Sequence, residues 1–430
     1  NFALERLVDA AAQELGLDAV EIRRKNFIQP DKFPFKTPCG NVYDSGNYPA
    51  VLDKALQMAD WPALRRMQAE ARTQGRYVGL GLATAHQRSV YGPTEFWFWY
   101  DAPGLTSVPE SVGLSVGPTG EFVVTMFSPF WGNSPETVVA QTIAEEFGIE
   151  PGKVTVTYDD SLHGLPGAGP GGSRMTVMLT GAAVGAARKL KDKMARIAAH
   201  LLEAAPEDIV FQNGGAMVRG APQKVLTYAD LGLKAYWFKL DLPQGMESGL
   251  EARHTYDHPF LTMPSADRKD LGSFYPMMAH GTHIPVVEVT PVTGQVKILR
   301  YIAVHDVGTI VNPRSLRGQI AGGITQGIGM ALYEECVYDE QGQPLSASFM
   351  DYLLPTAAET PTFEIGHVET PSPFTEYGVK GGGEGGRMIA PAALASAVED
   401  ALAPLGVRID ELPMTPERLA TLVEAAARKG

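Results

Sequence analysis

Three glycine-rich turns, each opening directly into a stretch with helical character, constrain this chain more than any other feature. They are Phe130-Trp131-Gly132-Asn133-Ser134-Pro135-Glu136-Thr137, Gly167-Ala168-Gly169-Pro170-Gly171-Gly172-Ser173-Arg174-Met175-Thr176 and Gly378-Val379-Lys380-Gly381-Gly382-Gly383-Glu384-Gly385-Gly386-Arg387. A glycine loop at a helix start leaves backbone N–H groups uncovered and favours an anion, phosphate above all. One such turn alone reads first as a tight connection between packed elements. Two or three converging on one ligand suit a phosphate-bearing organic cofactor. No Walker pattern is present, and no Gly-x-Gly-x-x-Gly follows a strand, which argues against ATP and NAD.

Composition narrows the class further. The 46 glycines and 32 prolines of 430 residues exceed usual shares of roughly 7% and 5%, and they cluster between apolar stretches. An apolar fraction of 44% excludes disorder, and glycine without a three-residue period excludes collagen. The length suggests about two to four domains. No run of 18 apolar residues occurs, so no membrane span is expected. A net charge of -13 disfavours nucleic acid. Cys39 and Cys336 are expected as buried thiols; two cysteines cannot build a four-cysteine zinc or iron–sulfur site. The chain opens at Asn1 in mid-helix, as a fragment or processed chain of something longer would, with any targeting signal upstream. A cytoplasmic location is expected, with a periplasmic one left open.

Along the chain, helical patterns are expected over 2–27 with a break at Gly16, over 48–73, 135–147, 175–204, 316–333 and 390–402. Asn133 and Ser134 are cap candidates for the third of these, and Gly148 its stop. Strands are expected over 78–85, 95–100, 121–127 and 153–158, with a hairpin over 284–289 and 296–305. Residues 30–49 read as loop, and 205–270 resist assignment. Interleaved elements without repeats give an α+β or mixed α/β class in at least two lobes.

Glu384 is the strongest single candidate for chemistry. A carboxylate flanked by five glycines is expected to have no side-chain neighbours, and desolvation there would raise its pKa toward that of a general base. Gln319, near a helix start among small residues, offers a donor and an acceptor to a heterocycle edge, or is a plain surface glutamine. Asp306, Asn312 and Pro313 read as turn-builders. His280 and His283 are three apart and His254 and His258 four apart, but Pro285 and Pro259 flank them. No His-Glu-x-x-His occurs, and Ser173 lies in no Gly-x-Ser-x-Gly elbow.

With these residues in place the chain resembles the molybdenum hydroxylases, in the molybdopterin-binding large subunit of the xanthine dehydrogenase, aldehyde oxidase and aerobic carbon monoxide dehydrogenase type. The motifs are Thr37-Pro-Cys-Gly-Asn-Val-Tyr-Asp-Ser-Gly46, Asp306-Val-Gly-Thr-Ile-Val-Asn-Pro313, Gly318-Gln-Ile-Ala-Gly-Gly-Ile-Thr-Gln-Gly327, Phe349-Met-Asp-Tyr-Leu-Leu-Pro355 and Gly381-Gly-Gly-Glu384 with Pro391-Ala-Ala393. The resemblance covers nearly the whole chain. It implies a multi-lobed molybdopterin-binding fold, with residues 1–30 closing a first molybdenum-binding domain and 31–430 forming the second, in two lobes with a boundary near 270.

The resemblance further implies a molybdenum–molybdopterin cofactor, as its cytosine dinucleotide, with the metal held by the pterin dithiolene and no protein ligand. Glu384 falls on the catalytic glutamate and Gln319 on a pterin-contacting glutamine. Gly172, Ser173, Arg174, Met175 and Thr176 fall on a loop that binds the cofactor through backbone and hydroxyl groups, and Asn133 and Gly383 on further contacts. Gly132-Asn133-Ser134 stands where the family usually has Gly-Gln-Gly. The implied reaction is hydroxylation of an aldehyde or N-heteroaromatic carbon with oxygen from water; carbon monoxide oxidation, or a non-catalytic scaffold half, are the alternatives. Electrons must leave through iron–sulfur clusters that two cysteines cannot hold. An iron–sulfur partner chain, a flavin (FAD) subunit and the N-terminal half of the molybdenum subunit are therefore the implied partners.

Overall fold

A computed structural model describes every residue except 93–94, 96, 98–106, 159, 161, 163, 261–262, 266, 268, 271, 273–274 and 429–430. Helices α1 (Phe2–Leu15) and α2 (Ala19–Asn26) part at Gly16, which ends α1 in the left-handed region at φ 65°. A short pair, β1 (Phe35–Lys36) and β2 (Val42–Tyr43), sits within the loop expected over 30–49. The single helix expected over 48–73 is two: α3 (Tyr48–Ala59) and α4 (Trp61–Thr73). The break has a local cause. Pro62 carries no N–H for the Met58 carbonyl, and Asp60, at φ 48°, caps the new helix by accepting from Ala63 N at 3.3 Å.

β3 (Tyr77–Leu80) and β4 (Ala83–Ser89) then enter the larger sheet, and the chain leaves it for an inner lobe. The strand expected over 95–100 lies for the most part outside the described residues. The inner lobe comprises β5 (Glu110–Val116), β6 (Phe122–Met126), α5 (Pro135–Phe147), β7 (Val154–Tyr158), α6 (Met175–Leu202), a small sheet of β8 (Ile209–Gln212), β9 (Gly215–Val218) and β10 (Val225–Thr227), α7 (Tyr228–Trp237) and β11 (Glu251–Tyr256). Its main sheet runs β11-β5-β6-β7. Phe122, Phe147, Leu179 and Leu190 fill the core between that sheet and its helices.

The chain returns to the outer lobe at β12 (Met277–Thr290) and β13 (Gln295–Asp306), a longer hairpin than expected, followed by α8 (Pro313–Leu332), β14 (Phe363–Val368), α9 (Gly385–Leu402) and α10 (Pro416–Ala427). The sheet order is β14-β13-β12-β3, with β4 also paired to β12. Alanine-rich α9 lies on this sheet at very short range. A Cβ at Gly79 would sit 1.9 Å from the Ala397 carbonyl oxygen, and one at Gly81 2.1 Å from that of Ala393, so β3 and the turn after it admit only glycine there.

Three expectations change. Both cysteines are exposed, not buried. Gly385–Leu405 is long and apolar enough to cross a membrane by composition, which a count of uninterrupted apolar runs missed because glycine, serine and acidic residues divide it. It serves here as the central helix of the outer core, with Ala390, Ala393, Leu394 and Val398 fully enclosed. Finally, α9 begins at Gly385 and not near residue 390, because glycines 323 and 386 let it cross α8 closely: a Cβ at Gly386 would lie 2.6 Å from the Ile320 carbonyl oxygen.

Candidate functional site

Four helices start at one place between the lobes. The first turns of α5, α6, α8 and α9 all border a cleft of about 250 Å³, which brings together Asn133, Gly172, Ser173, Arg174, Met175, Thr176, Gln319, Gly383 and Glu384. Every candidate cofactor-binding or catalytic residue named from the sequence thus lies on one surface. Asn312 caps α8, its Oδ1 accepting from Ser315 N at 2.9 Å. No side chain caps α5, α6 or α9. Ser134, expected as a cap, instead sits at φ 58° without a capping bond. The uncovered N–H groups of three helices and their aligned dipoles make this cleft a place for an anion.

The loop ahead of α6 is held from beneath. Arg174 and Glu110 are both fully buried and ion-paired. Glu110 Oε1 accepts from Ala168 N at 2.9 Å and Gly169 N at 2.8 Å, while Arg174 donates to the Gly169 carbonyl at 2.8 Å and the Val108 carbonyl at 2.5 Å. Both Nη atoms of the guanidinium are therefore committed to Glu110, Gly169 and Val108, while Nε is buried with no hydrogen-bond partner among the described residues. The Met175 side chain is buried, so Met175 offers a ligand its backbone. Gly172 and Ser173 both take positive φ, 64° and 52°, a conformation fixed by the Val90 N to Gly172 O bond of 3.0 Å.

Glu384 stands at the start of α9, and it is not isolated. Arg387 Nη2 lies 2.9 Å from its Oε1, and Ser173 Oγ donates to its Oε2 at 3.1 Å. The expectation of a carboxylate without side-chain neighbours fails because the helix brings residue 387 back over residue 384 one turn later. Glycine spacing alone concealed that return. Behind Glu384, the segment is tied to the core by Lys380, buried at 3% exposure, whose Nζ donates to Ser45 O at 2.9 Å and Met278 O at 3.2 Å. Lys380, Arg387 and Gln87 were not singled out from the sequence. Arg387 was legible from its i, i+3 spacing; Gln87, on β4, had no local signal.

The residues fit a large, polar, anionic cofactor. Asn133 Oδ1 is buried with no hydrogen-bond partner among the described residues, an acceptor that a ligand N–H would satisfy. A Cβ at Gly383 would stand at 3.5 Å from both Gln319 Oε1 and Ser173 Oγ, so glycine there keeps open the space those polar atoms face. Among the described residues no three His, Cys, Asp or Glu side chains group to hold a metal ion directly.

A family model for the molybdopterin cofactor-binding domain matches residues 54–361. The chain is 38% identical over 97% of its length to the nicotine 6-hydroxylase large subunit of Paenarthrobacter nicotinovorans, covering 49% of that protein. It is 36% identical over 97% of its length to the carbon monoxide dehydrogenase large chain of Hydrogenophaga pseudoflava, covering 50% of it. The crystal structure of quinoline 2-oxidoreductase from Pseudomonas putida 86 superposes with a TM-score of 0.88 at 37% identity, over 98% of this chain and 51% of that one. The chain spans about half the length of the curated relatives it matches. With the mixed α/β lobes and the anion-ready cleft already in place, these matches show that the chain belongs to the molybdopterin-binding large-subunit family of the xanthine dehydrogenase, carbon monoxide dehydrogenase and aldehyde oxidase type.

Proposed function

We propose that this chain is the catalytic, cofactor-holding part of a molybdenum hydroxylase that inserts water-derived oxygen into a C–H bond of an N-heteroaromatic ring or an aldehyde. The observation that carries the reading is Glu384 set at the rim of a cleft where uncapped helix N-termini converge. When bound, a molybdenum–molybdopterin supplies two-electron redox chemistry and an activated water oxygen.

The chain's own groups then divide the work. N–H groups at the starts of α5, α6 and α9 would hold the phosphates, in the cytosine dinucleotide form the pyrophosphate. Gln319 would offer its amide to a pterin edge, and Asn133 Oδ1 would accept from a ligand N–H. Glu384 would take up the proton released as oxygen reaches the substrate carbon. Ser173 and Arg387 keep its two oxygens apart in role: each is held by one donor, and the remaining lone pairs are free for that proton.

Relatives named for nicotine 6-hydroxylation and quinoline oxidation, at 38% and 37% identity, support the heteroaromatic class over the aldehyde class. The two electrons of each turnover would leave to iron–sulfur clusters held outside these 430 residues, on a partner iron–sulfur chain with a flavin subunit beyond it in this reading, since two exposed, separate cysteines cannot ligate a cluster. The test is a panel of pyridines, quinolines, purines, aldehydes and carbon monoxide, run on the purified complex with an artificial electron acceptor and paired with metal analysis. Turnover of a ring substrate with about one molybdenum per copy is expected; a complex without molybdenum would sink the proposal.

A further inference from the structure

Strand β4 reaches two of the three glycine loops of the cleft with one face. Gln87 and Ser89, two residues apart, point the same way. Ser89 Oγ accepts from Gly381 N at 2.5 Å, and Gln87 Nε2 donates to Ser173 Oγ at 2.6 Å. Ser173 Oγ in turn lies 3.1 Å from Glu384 Oε2. Gln87 is 1% exposed, and its Oε1 has no hydrogen-bond partner among the described residues. That oxygen lies 2.6 Å from where a Cβ at Gly385 would be, so the residue after Glu384 makes room for the amide.

The direction of these bonds follows from what each group can donate. A serine hydroxyl has one proton. With the amide nitrogen of Gln87 donating to Ser173 Oγ, that proton is free to go only to Glu384. Turned the other way, the amide oxygen would claim the serine proton and leave two oxygen lone pairs facing the carboxylate. With Nε2 toward Ser173, the chain Gln87–Ser173–Glu384 runs in one sense, each group donating to the next.

Resting on the assignment of Glu384 as the proton acceptor, we propose that Gln87 is a positioning residue: it fixes Ser173 as a donor to Glu384 Oε2 and so aims the carboxylate for proton uptake. Gln87 itself does not line the cleft. The charged and titratable groups facing the pair are Arg387 on α9, which holds Oε1, and His305 on β13. A Cβ at Gly385 would lie 2.9 Å from His305 Nδ1, and burial pushes His305 down to about 3, so it stays neutral at working pH. Arg174 is turned away onto Glu110.

The experiment compares Gln87→Ala, Gln87→Glu and Glu384→Gln in the purified complex, reading kcat, KM, the pH profile, molybdenum content and Tm. Gln87→Ala is expected to lower kcat about tenfold, the scale of one lost hydrogen bond, with KM, molybdenum content and Tm close to wild type. Gln87→Glu is isosteric, but once ionised it accepts the serine proton. It should fall below Gln87→Ala at neutral pH and recover toward wild type as acid protonates it. Unchanged kcat in both variants, or a kcat loss matched by lost molybdenum or lower Tm, overturns the positioning role while a dead Glu384→Gln leaves the base assignment standing. Full turnover by Glu384→Gln overturns both.

Discussion

Arg387 and Glu384 form an ion pair of 2.9 Å across the first turn of α9, at the rim of the cleft. Both side chains keep partial solvent contact, at 35% and 26% exposure, so the pair contributes little to folding. Its effect falls on the site. Arg387→Ala should change stability by less than about 1 kcal/mol yet lower kcat, since Glu384 Oε1 would lose the guanidinium that orients it. Chemical denaturation beside steady-state kinetics checks this; a stability loss with intact kcat would contradict it.

Glu384→Gln keeps shape and loses basicity. Turnover should drop by roughly 10²–10⁴, the range for removal of a general base, while molybdenum stays bound. Stopped-flow reduction by substrate, with metal content measured on the same sample, separates the two effects.

Glu110→Ala should destabilise the chain by about 3–5 kcal/mol, because it strands the fully buried Arg174 charge. The loop of Ala168 and Gly169 would lose its anchor at the same time. Urea unfolding should show the midpoint shift and molybdenum analysis the loss of loading. A variant that folds with normal stability and full loading would refute the anchoring role.

Two glycine substitutions should behave oppositely. Gly79→Ala puts a methyl 1.9 Å from the Ala397 carbonyl oxygen and should cost about 1–3 kcal/mol by forcing β3 off α9. Gly383→Ala meets nothing closer than 3.5 Å. It should leave Tm unchanged and reduce cofactor content, since the methyl takes space in the cleft. Thermal melts and metal analysis on both variants decide it.

Acid should unfold the protein earlier than its carboxylates alone require. Burial pushes His305 down to about 3 and His86 to about 4, and holds His280 and His283 well below 6.5. Below pH 6.5 the unfolded chain binds protons at these sites and the native one does not, so stability falls with pH from about 6.5 down to 3–4. Above 6.5 these groups contribute no slope. Urea midpoints across pH 3–8 should show the decline. In His283→Gln the fall should be shallower, and an unchanged slope would exclude the histidines as its source.

Much of the architecture was legible locally. Gly16 and Gly148 ended helices where expected, because a left-handed cap needs glycine and little else. The helices of residues 135–147 and 175–202 carried their own periodicity. The break at Asp60 was missed although Pro62 announced it, since the apolar rhythm runs on through both helices. Three of the four strands of 205–270 escaped because β8, β9 and β10 are three or four residues long, too short for alternation to show.

The sequence by itself determined that three glycine turns would open helices and that Glu384 would stand among the glycines of the third. Those are consequences of backbone freedom and of residue order, which are local. Only the tertiary structure decided that the turns meet, that Arg387 and Ser173 hold Glu384 from either side, and that Gln87, some three hundred residues earlier in the chain, stands behind them. Those relations depend on β4 lying beside β12 and on α9 crossing α8 at glycine contacts. They arise from packing between segments far apart in sequence, where no spacing rule applies.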